Sequence, residues 1–196
     1  MKIFSAIIGF VIVAILAVFI SHMNTIPTYD ENIKASFAQL QNQYKRRAEL
    51  IPNLIATVKG YAKHEDEVFT KITNARAKVN QINIDEKLLN DPKLFEKFEK
   101  SQNQLTQALS KLMMVSERYP NLKSNKNFLA LQTQLEGTQN RISVAIKDYI
   151  KQVKLYNIEL RTIPGKWVAS VLYPNAKAKP TFTISKDEQK NPVVKF

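Results

Sequence analysis

The chain has 196 residues, 44% of them hydrophobic, enough for one membrane segment and one ordinary domain core but too few for a second large domain. It contains no cysteine, which excludes disulfides, thiolate catalysis, sulfur-ligated metal sites and a lipid-modified cysteine at once. A formal net charge of +12 raises nucleic acid and anionic lipid as partners, but where the charges sit decides more than their sum.

Ile3 to Ile20, IFSAIIGFVIVAILAVFI, is an apolar run of 18 residues. As a helix it would extend roughly 27 Å, close to the hydrocarbon thickness of a bilayer. The competing reading is a cleaved secretory signal, whose apolar region is usually about 7 to 15 residues long and ends in small residues. Here the run is longer and Ser21-His22-Met23 follows it, so residues 1–24 are expected to be a retained transmembrane anchor and its joint. The chain is then a single-pass protein of the cell (inner) membrane. Only Lys2 and the amino terminus precede the span, and no basic residue follows it until Lys34, which favours a cytoplasmic N-terminus and an extracytoplasmic domain. Lys45-Arg46-Arg47 can be counted the other way.

Asn24 to Thr28 reads as a short polar joint with a proline, and residues 25–173 as a helical bundle domain. From Ile33 the apolar positions fall at Phe37, Leu40, Tyr44, Ala48, Ile51, Ile55, Val58, Ala62, Phe69, Ile72 and Val79, in steps that keep one stripe on one side of a helix. The spacing predicts one long helix, bent at Pro52. Glu65 and Arg76 also fall on this seam, 11 residues or roughly 16 Å apart along the axis, too far to pair with each other. An ion on a buried seam needs a partner, so each should find one on a facing helix, with Arg141 a candidate for Glu65. Of Arg46 and Arg47, one should face solvent and the other a neighbouring helix, where structural locking is the expected role. Arg46, Arg47, Glu65, Arg76 and Arg141 together form the candidate structural polar network.

The segment Asn80 to Asn90 is polar and irregular. A second helix should start at Asp91-Pro92, where Asp caps and Pro takes the first helical position, carry Phe95, Phe98, Leu105, Leu109 and Leu112 as its stripe, and end at Tyr119-Pro120-Asn121. A third should run from about Asn125 through Phe128, Leu131, Leu135, Ile142, Ala145, Tyr149, Val153, Tyr156, Leu160 and Ile163, stopped by Thr162-Ile163-Pro164. Lys166 to Tyr173 reads as a short fourth helix covering one end of the bundle. Residues 174–196, with Pro174, Pro180 and Pro192, read as an irregular tail in which Thr181 to Ile184 could be extended. The expected fold class is all-α: an N-terminal transmembrane helix, then an antiparallel bundle of three long helices plus a short C-terminal one.

Tyr44-Lys45-Arg46-Arg47-Ala48-Glu49-Leu50-Ile51-Pro52-Asn53-Leu54-Ile55, then Thr57-Val58-Lys59-Gly60-Tyr61-Ala62, His64-Glu65 and Ala75-Arg76, closely resembles the signature of the LemA family. The likeness continues through Pro120-Asn121-Leu122-Lys123, Phe128, Leu131-Gln132, Leu135, Thr138, Asn140-Arg141-Ile142, Tyr156-Asn157 and Pro164, covering roughly residues 29 to 184. The resemblance implies a bacterial membrane-anchored antiparallel helical bundle, some of whose relatives are linked with membrane organisation while others look like companions of membrane proteases. Three positions depart from the family pattern. Gln139 stands where an acidic residue is usual, Ile146 where arginine is usual and Ile150 where asparagine is usual, so a polar cluster of the family is in part lost here.

Chemistry finds little foothold. His64-Glu65-Asp66-Glu67-Val68 begins like the helical zinc motif His-Glu-x-x-His, but Val68 replaces the second ligand, and His22 is the chain's other histidine. Gly9, Gly60, Gly137 and Gly165 are the only glycines, too scattered for a phosphate loop, a dinucleotide fingerprint or a nucleophile elbow. The carboxylate groups Asp30-Glu31, Glu65-Asp66-Glu67 and Asp85-Glu86 are sequence neighbours that point apart on a helix, and read as solvated faces or caps. No catalytic, cofactor-binding or metal-ligating residue is assigned, and no enzyme activity or cofactor is expected.

The basic excess is local: residues 121–173 carry eight basic and three acidic groups, and residues 174–196 five and two. The aromatic residues lie mainly on apolar stripes, which explains them as core and argues against nucleic acid as a partner. The expected function is a non-catalytic membrane-anchored scaffold or adaptor, with membrane lipid, other membrane proteins such as a membrane protease, or further copies of itself as partners. The alternative is a lipid-binding or membrane-remodelling protein that uses the basic third helix and tail.

Overall fold

The computed structural model describes residues 2–82 and 86–183, and among them every regular element is helical. α1 (Lys2–His22) is followed by α2 (Thr25–Lys59), α3 (Asp66–Asn80), α4 (Pro92–Ser116), α5 (Pro120–Lys123), α6 (Lys126–Glu159) and α7 (Gly165–Leu172).

α1 is long and apolar enough to cross a membrane, and its apolar window is not buried by the rest of the chain. Only Met23 and Asn24 separate it from α2. Asn24 keeps right-handed helical angles (φ −92°, ψ −3°) and its carbonyl accepts the N–H of Thr28 at 3.1 Å, so the expected joint at Asn24 to Thr28 is almost wholly helical. Pro27 does no harm in the first turn, where N–H groups have no helical acceptor.

The single bent rod expected from Ile33 to Val79 is two helices. α2 continues through Pro52 to Lys59 and stops at Gly60, where the N–H groups of Tyr61 and Ala62 both return to the Val58 carbonyl (3.0 and 2.9 Å). α3 then folds back along α2, so that Phe69, Ile72, Ala75 and Val79 share a cluster with Ile51, Leu54 and Val58. Periodicity alone cannot separate the two cases, because both arms of a helical hairpin present a stripe at the same spacing to one core. Gly60, with its low helix propensity, is the local signal of the break. Asp66 and Glu67 open α3, where negative charge suits the helix dipole.

The starts of α4 and α6 follow their caps. Asp91 Oδ1 accepts the N–H groups of Lys93 (2.8 Å) and Leu94 (3.3 Å) ahead of α4, with Pro92 in the first position. Asn125 Oδ1 accepts the N–H of Phe128 at 3.0 Å ahead of α6. A one-turn helix, α5, fills the stretch between them that reads from sequence as a plain stop.

The core divides along the rod. Its base gathers Ile26, Ile33, Phe37, Leu40 and Tyr44 of α2 with Phe95 and Phe98 of α4, Ile142, Tyr149, Val153 and Tyr156 of α6, and Val168 of α7. Its far half gathers Ile51, Leu54 and Val58 with α3, Leu105 to Val115 of α4, and Phe128 and Leu135 of α6. The start of α2 therefore meets the end of α6 and the end of α2 meets its start, which makes the pair antiparallel. At the base, Phe37, Phe95, Phe98 and Tyr149 form a ring cluster with centroids 5.4 to 6.4 Å apart.

Two irregular segments serve this core. The connector before α4 places Leu88 and Leu89 in the base cluster despite the polar character of its sequence. Residues 174–183 have no regular secondary structure yet lie across the base, with Ala176 and Phe182 packed against it. Thr181 to Thr183 are not a strand, and Ile184 lies outside the described residues.

Candidate functional site

Arg47 is the largest fully buried side chain, with 2% of its surface exposed, and it lies on α2 between Tyr44 of the base cluster and Ile51 of the far one. Its Nη1 donates to Thr106 Oγ1 (2.9 Å) and Gln139 Oε1 (3.3 Å), and its Nη2 to Gln102 Oε1 (2.5 Å). The Tyr44 ring lies 5.1 Å from the guanidinium carbon. All three acceptors are neutral, and Arg47 Nε and Gln102 Nε2 are buried without an acceptor. Burial holds the guanidinium below the usual arginine pKa, because removing a cation from water disfavours its charged form. One side chain of α2 thus clamps both α4 and α6.

The other charged residues singled out from sequence do not join it. Arg46 is exposed. Arg76, on α3, donates from Nε to the Ala48 carbonyl on α2 at 3.2 Å. Glu65, at the turn into α3, accepts from Arg118 Nη2 (3.0 Å) and from the Tyr119 hydroxyl (3.2 Å) at the end of α4. Its partner is therefore not Arg141, which is exposed on α6 beside Ile142 of the base cluster. The five residues are three separate ties and two solvent-facing arginines.

Sequence reasoning missed a second buried charge. Lys179, 8% exposed, sets its ammonium 2.7 Å from Asp30 Oδ1 and 2.7 Å from Asn90 Oδ1, with the Tyr156 ring 5.6 Å away. Burial alone would raise the Asp30 carboxyl, but hydrogen bonding and charge from Lys179 and Lys34 outweigh it and hold the group below the ordinary aspartate value. The Asn157 side chain grips the backbone of Lys179 from both sides, accepting its N–H (2.8 Å) and donating to its carbonyl (3.0 Å), and the Tyr149 hydroxyl donates to the Pro180 carbonyl (2.9 Å). Tyr156-Asn157 in the family signature was the available signal, without a partner to attach to it.

A groove of about 400 Å³ runs between α2, α3 and the middle of α4 and is lined by Tyr44, Lys45, Glu49, Arg76, Ile82 and Gln102. It contains no nucleophile paired with a base. His64 is exposed, and among the described residues no three His, Asp or Glu side chains are placed to hold a metal ion.

Residues 36–196 match the model of the LemA family, most of the chain and every tie described above except Asp30. The chain belongs to the LemA family. Among curated proteins, this LemA-family chain is similar to Protein LemA of Metamycoplasma hominis, 24% identical over 155 residues that cover 79% of the chain and 67% of that protein. It is also similar to the magnetosome proteins MamQ 1 and MamQ 2 of Paramagnetospirillum magneticum, each 25% identical over 177 residues that cover 82% of the chain and 65% of the relative. The chain therefore spans about two thirds of the length of these relatives. Within the LemA-family bundle, Gln139 takes on a definite meaning. It stands where the resemblance implies an acid and is an acceptor for Arg47, so a neutral amide meets the buried guanidinium at a position where the resemblance implies a carboxylate.

Proposed function

We propose that this LemA-family chain is a non-catalytic scaffold or adaptor, held in the cell (inner) membrane by α1 in a single pass, with the bundle as the part that meets partners. The observation that carries the reading is the use made of the polar groups inside the fold. Arg47, Arg76, Glu65 and the Asp30–Lys179 pair each tie one segment to another, and Arg76, which also lines a groove, spends its Nε on the Ala48 carbonyl. Such groups hold a rod in one register and do no chemistry on a substrate. A rod that rises from its own anchor with only Met23 and Asn24 between them presents a defined face at a defined height above the bilayer. Its partners are other membrane proteins, a membrane protease among them, or further copies of the chain. The flanking charges support an extracytoplasmic bundle.

Crosslinking the membrane-embedded chain, mild solubilisation and identification of co-purifying proteins test the reading. A reproducible specific partner is expected, and recovery of none counts against a scaffold. Proteolysis of intact spheroplasts, followed at the C-terminus, tests the side.

The alternative, lipid binding through the basic third helix and tail, has less support. Lys126, Arg141, Lys147, Lys151 and Lys154 are all exposed on α6. Lys126 and Lys154 are roughly 42 Å apart along the helix, so a flat headgroup layer could reach the whole row only if the rod lay down. Lys179 of the tail is withdrawn into the bundle.

A further inference from the structure

We propose that α7 is a second membrane contact, an interfacial helix that seats the foot of the bundle in the headgroup layer of the bilayer holding α1. The proposal rests on α1 being the membrane anchor and adds a site that the anchor does not require.

Position is the first argument. Phe19, inside the apolar run of α1, packs against the base cluster that contains Val168, and Ala169 and Tyr173 pack there too. The Tyr173 hydroxyl donates to the Met23 carbonyl at 2.9 Å, and His22 Nδ1 lies 2.9 Å from Glu159 Oε1 at the end of α6. α7 is thereby pinned beside the residues where the apolar run ends, the depth at which hydrocarbon gives way to headgroups.

Its two faces are the second argument. Gly165 and Val168 are buried against the bundle, whereas Ile163, Trp167 and Val171 are 62%, 58% and 66% exposed. Trp167 and Val171, four residues apart on α7, lie on one side of the helix, and Ile163 is exposed in the turn just before it. Tryptophan concentrates at membrane interfaces because its ring is apolar while its N–H still needs a polar partner.

Charge is the third. Lys166 on α7, Arg161 just before it and Lys177 just after it are exposed, and Glu159, the one acidic residue between Lys151 and Thr183, is occupied by His22. A cationic rim around an apolar face suits anionic headgroups. α1 and α7 would then give the rod two points of support, which together fix its tilt.

Trp167 is the only tryptophan in the chain and serves as the probe without substitution. The full chain is reconstituted in vesicles of phosphatidylcholine and phosphatidylglycerol carrying bromine high or low on the acyl chains. In parallel, Val11→Cys in the cysteine-free chain carries a bimane label at mid-span as the anchor control. The expected result is bimane quenched most by deep bromines, with Trp167 blue-shifted, protected from iodide and quenched most by shallow bromines. Deep quenching of bimane with Trp167 open to iodide overturns the proposal and leaves the anchor standing. Protection from iodide without lipid quenching also overturns it, since a second copy or another protein then covers the face. Bimane that no lipid quenches removes the anchor, and the proposal with it.

Discussion

Arg76 Nε donates to the carbonyl oxygen of Ala48 at 3.2 Å, and that carbonyl lacks its helical donor because the residue four positions further on is Pro52. A proline inside a helix removes one N–H and orphans one acceptor. Here the returning helix α3 fills the vacancy with an arginine, so α2 continues through Pro52 and the two arms of the hairpin are locked in register.

That relationship predicts coupling. Arg76→Ala leaves the half-buried Ala48 carbonyl without a protein donor and should cost about 1 kcal/mol in urea denaturation. In a Pro52→Ala background the restored N–H satisfies the same carbonyl, and the cost of Arg76→Ala should shrink markedly. Equal costs in the two backgrounds would show that the contact is incidental.

Arg47 predicts a gain. Gln139→Glu places a carboxylate against a guanidinium already buried among neutral acceptors, and should raise stability by about 1–2 kcal/mol at neutral pH. Arg47→Ala should cost about 3 kcal/mol or more, since it opens a cavity and strands the side chains of Gln102, Thr106 and Gln139. Arg47→Met fills most of that volume and should cost less. Chemical denaturation of the three variants orders them.

The Asp30–Lys179 pair predicts a pH dependence. The folded-state pKa of Asp30 is depressed, so in the window between it and the ordinary value of about 4 the unfolded chain binds more protons than the folded one. Stability from this group is therefore fully present above that ordinary value and is lost as the pH falls through the folded one. Asp30→Asn should cost about 2 kcal/mol at neutral pH. The gap to the unaltered chain should close as denaturation is repeated below pH about 4. A gap independent of pH would mean that packing, not the carboxylate charge, is what the substitution removes.

Two glycines should respond in opposite ways. A Cβ on Gly165 would overlap the carbonyl oxygen and the carboxylate of Glu159, so Gly165→Ala should cost on the order of 2 kcal/mol and loosen α7 together with the His22 contact. On Gly137, inside α6, a Cβ meets only the Arg141 guanidinium at 3.6 Å, an ordinary contact. Gly137→Ala should be neutral or stabilising by up to about 1 kcal/mol, because alanine is the better helix former. Thermal denaturation of the pair separates the cases.

Much of this molecule is written locally in the chain. The apolar run of α1, the caps Asp91 and Asn125, the seams of α2, α4 and α6, and the family itself are legible because each depends on residues within a turn or on a contiguous motif. Tertiary structure alone decided the rest. The spacing of the stripe from Ile33 to Val79 fits one rod or a hairpin equally well; Gly60 marks a place where the rod could break, and the packed neighbours of Phe69 and Ile72 show that it does. Glu65 takes Arg118 and not Arg141, Arg47 is held by amides and a hydroxyl, and Lys179 crosses the base to Asp30. A charge on a seam announces that it needs a partner. Which partner it gets depends on which helices are adjacent and how far each has slid along the others, and that register is a property of the assembled core.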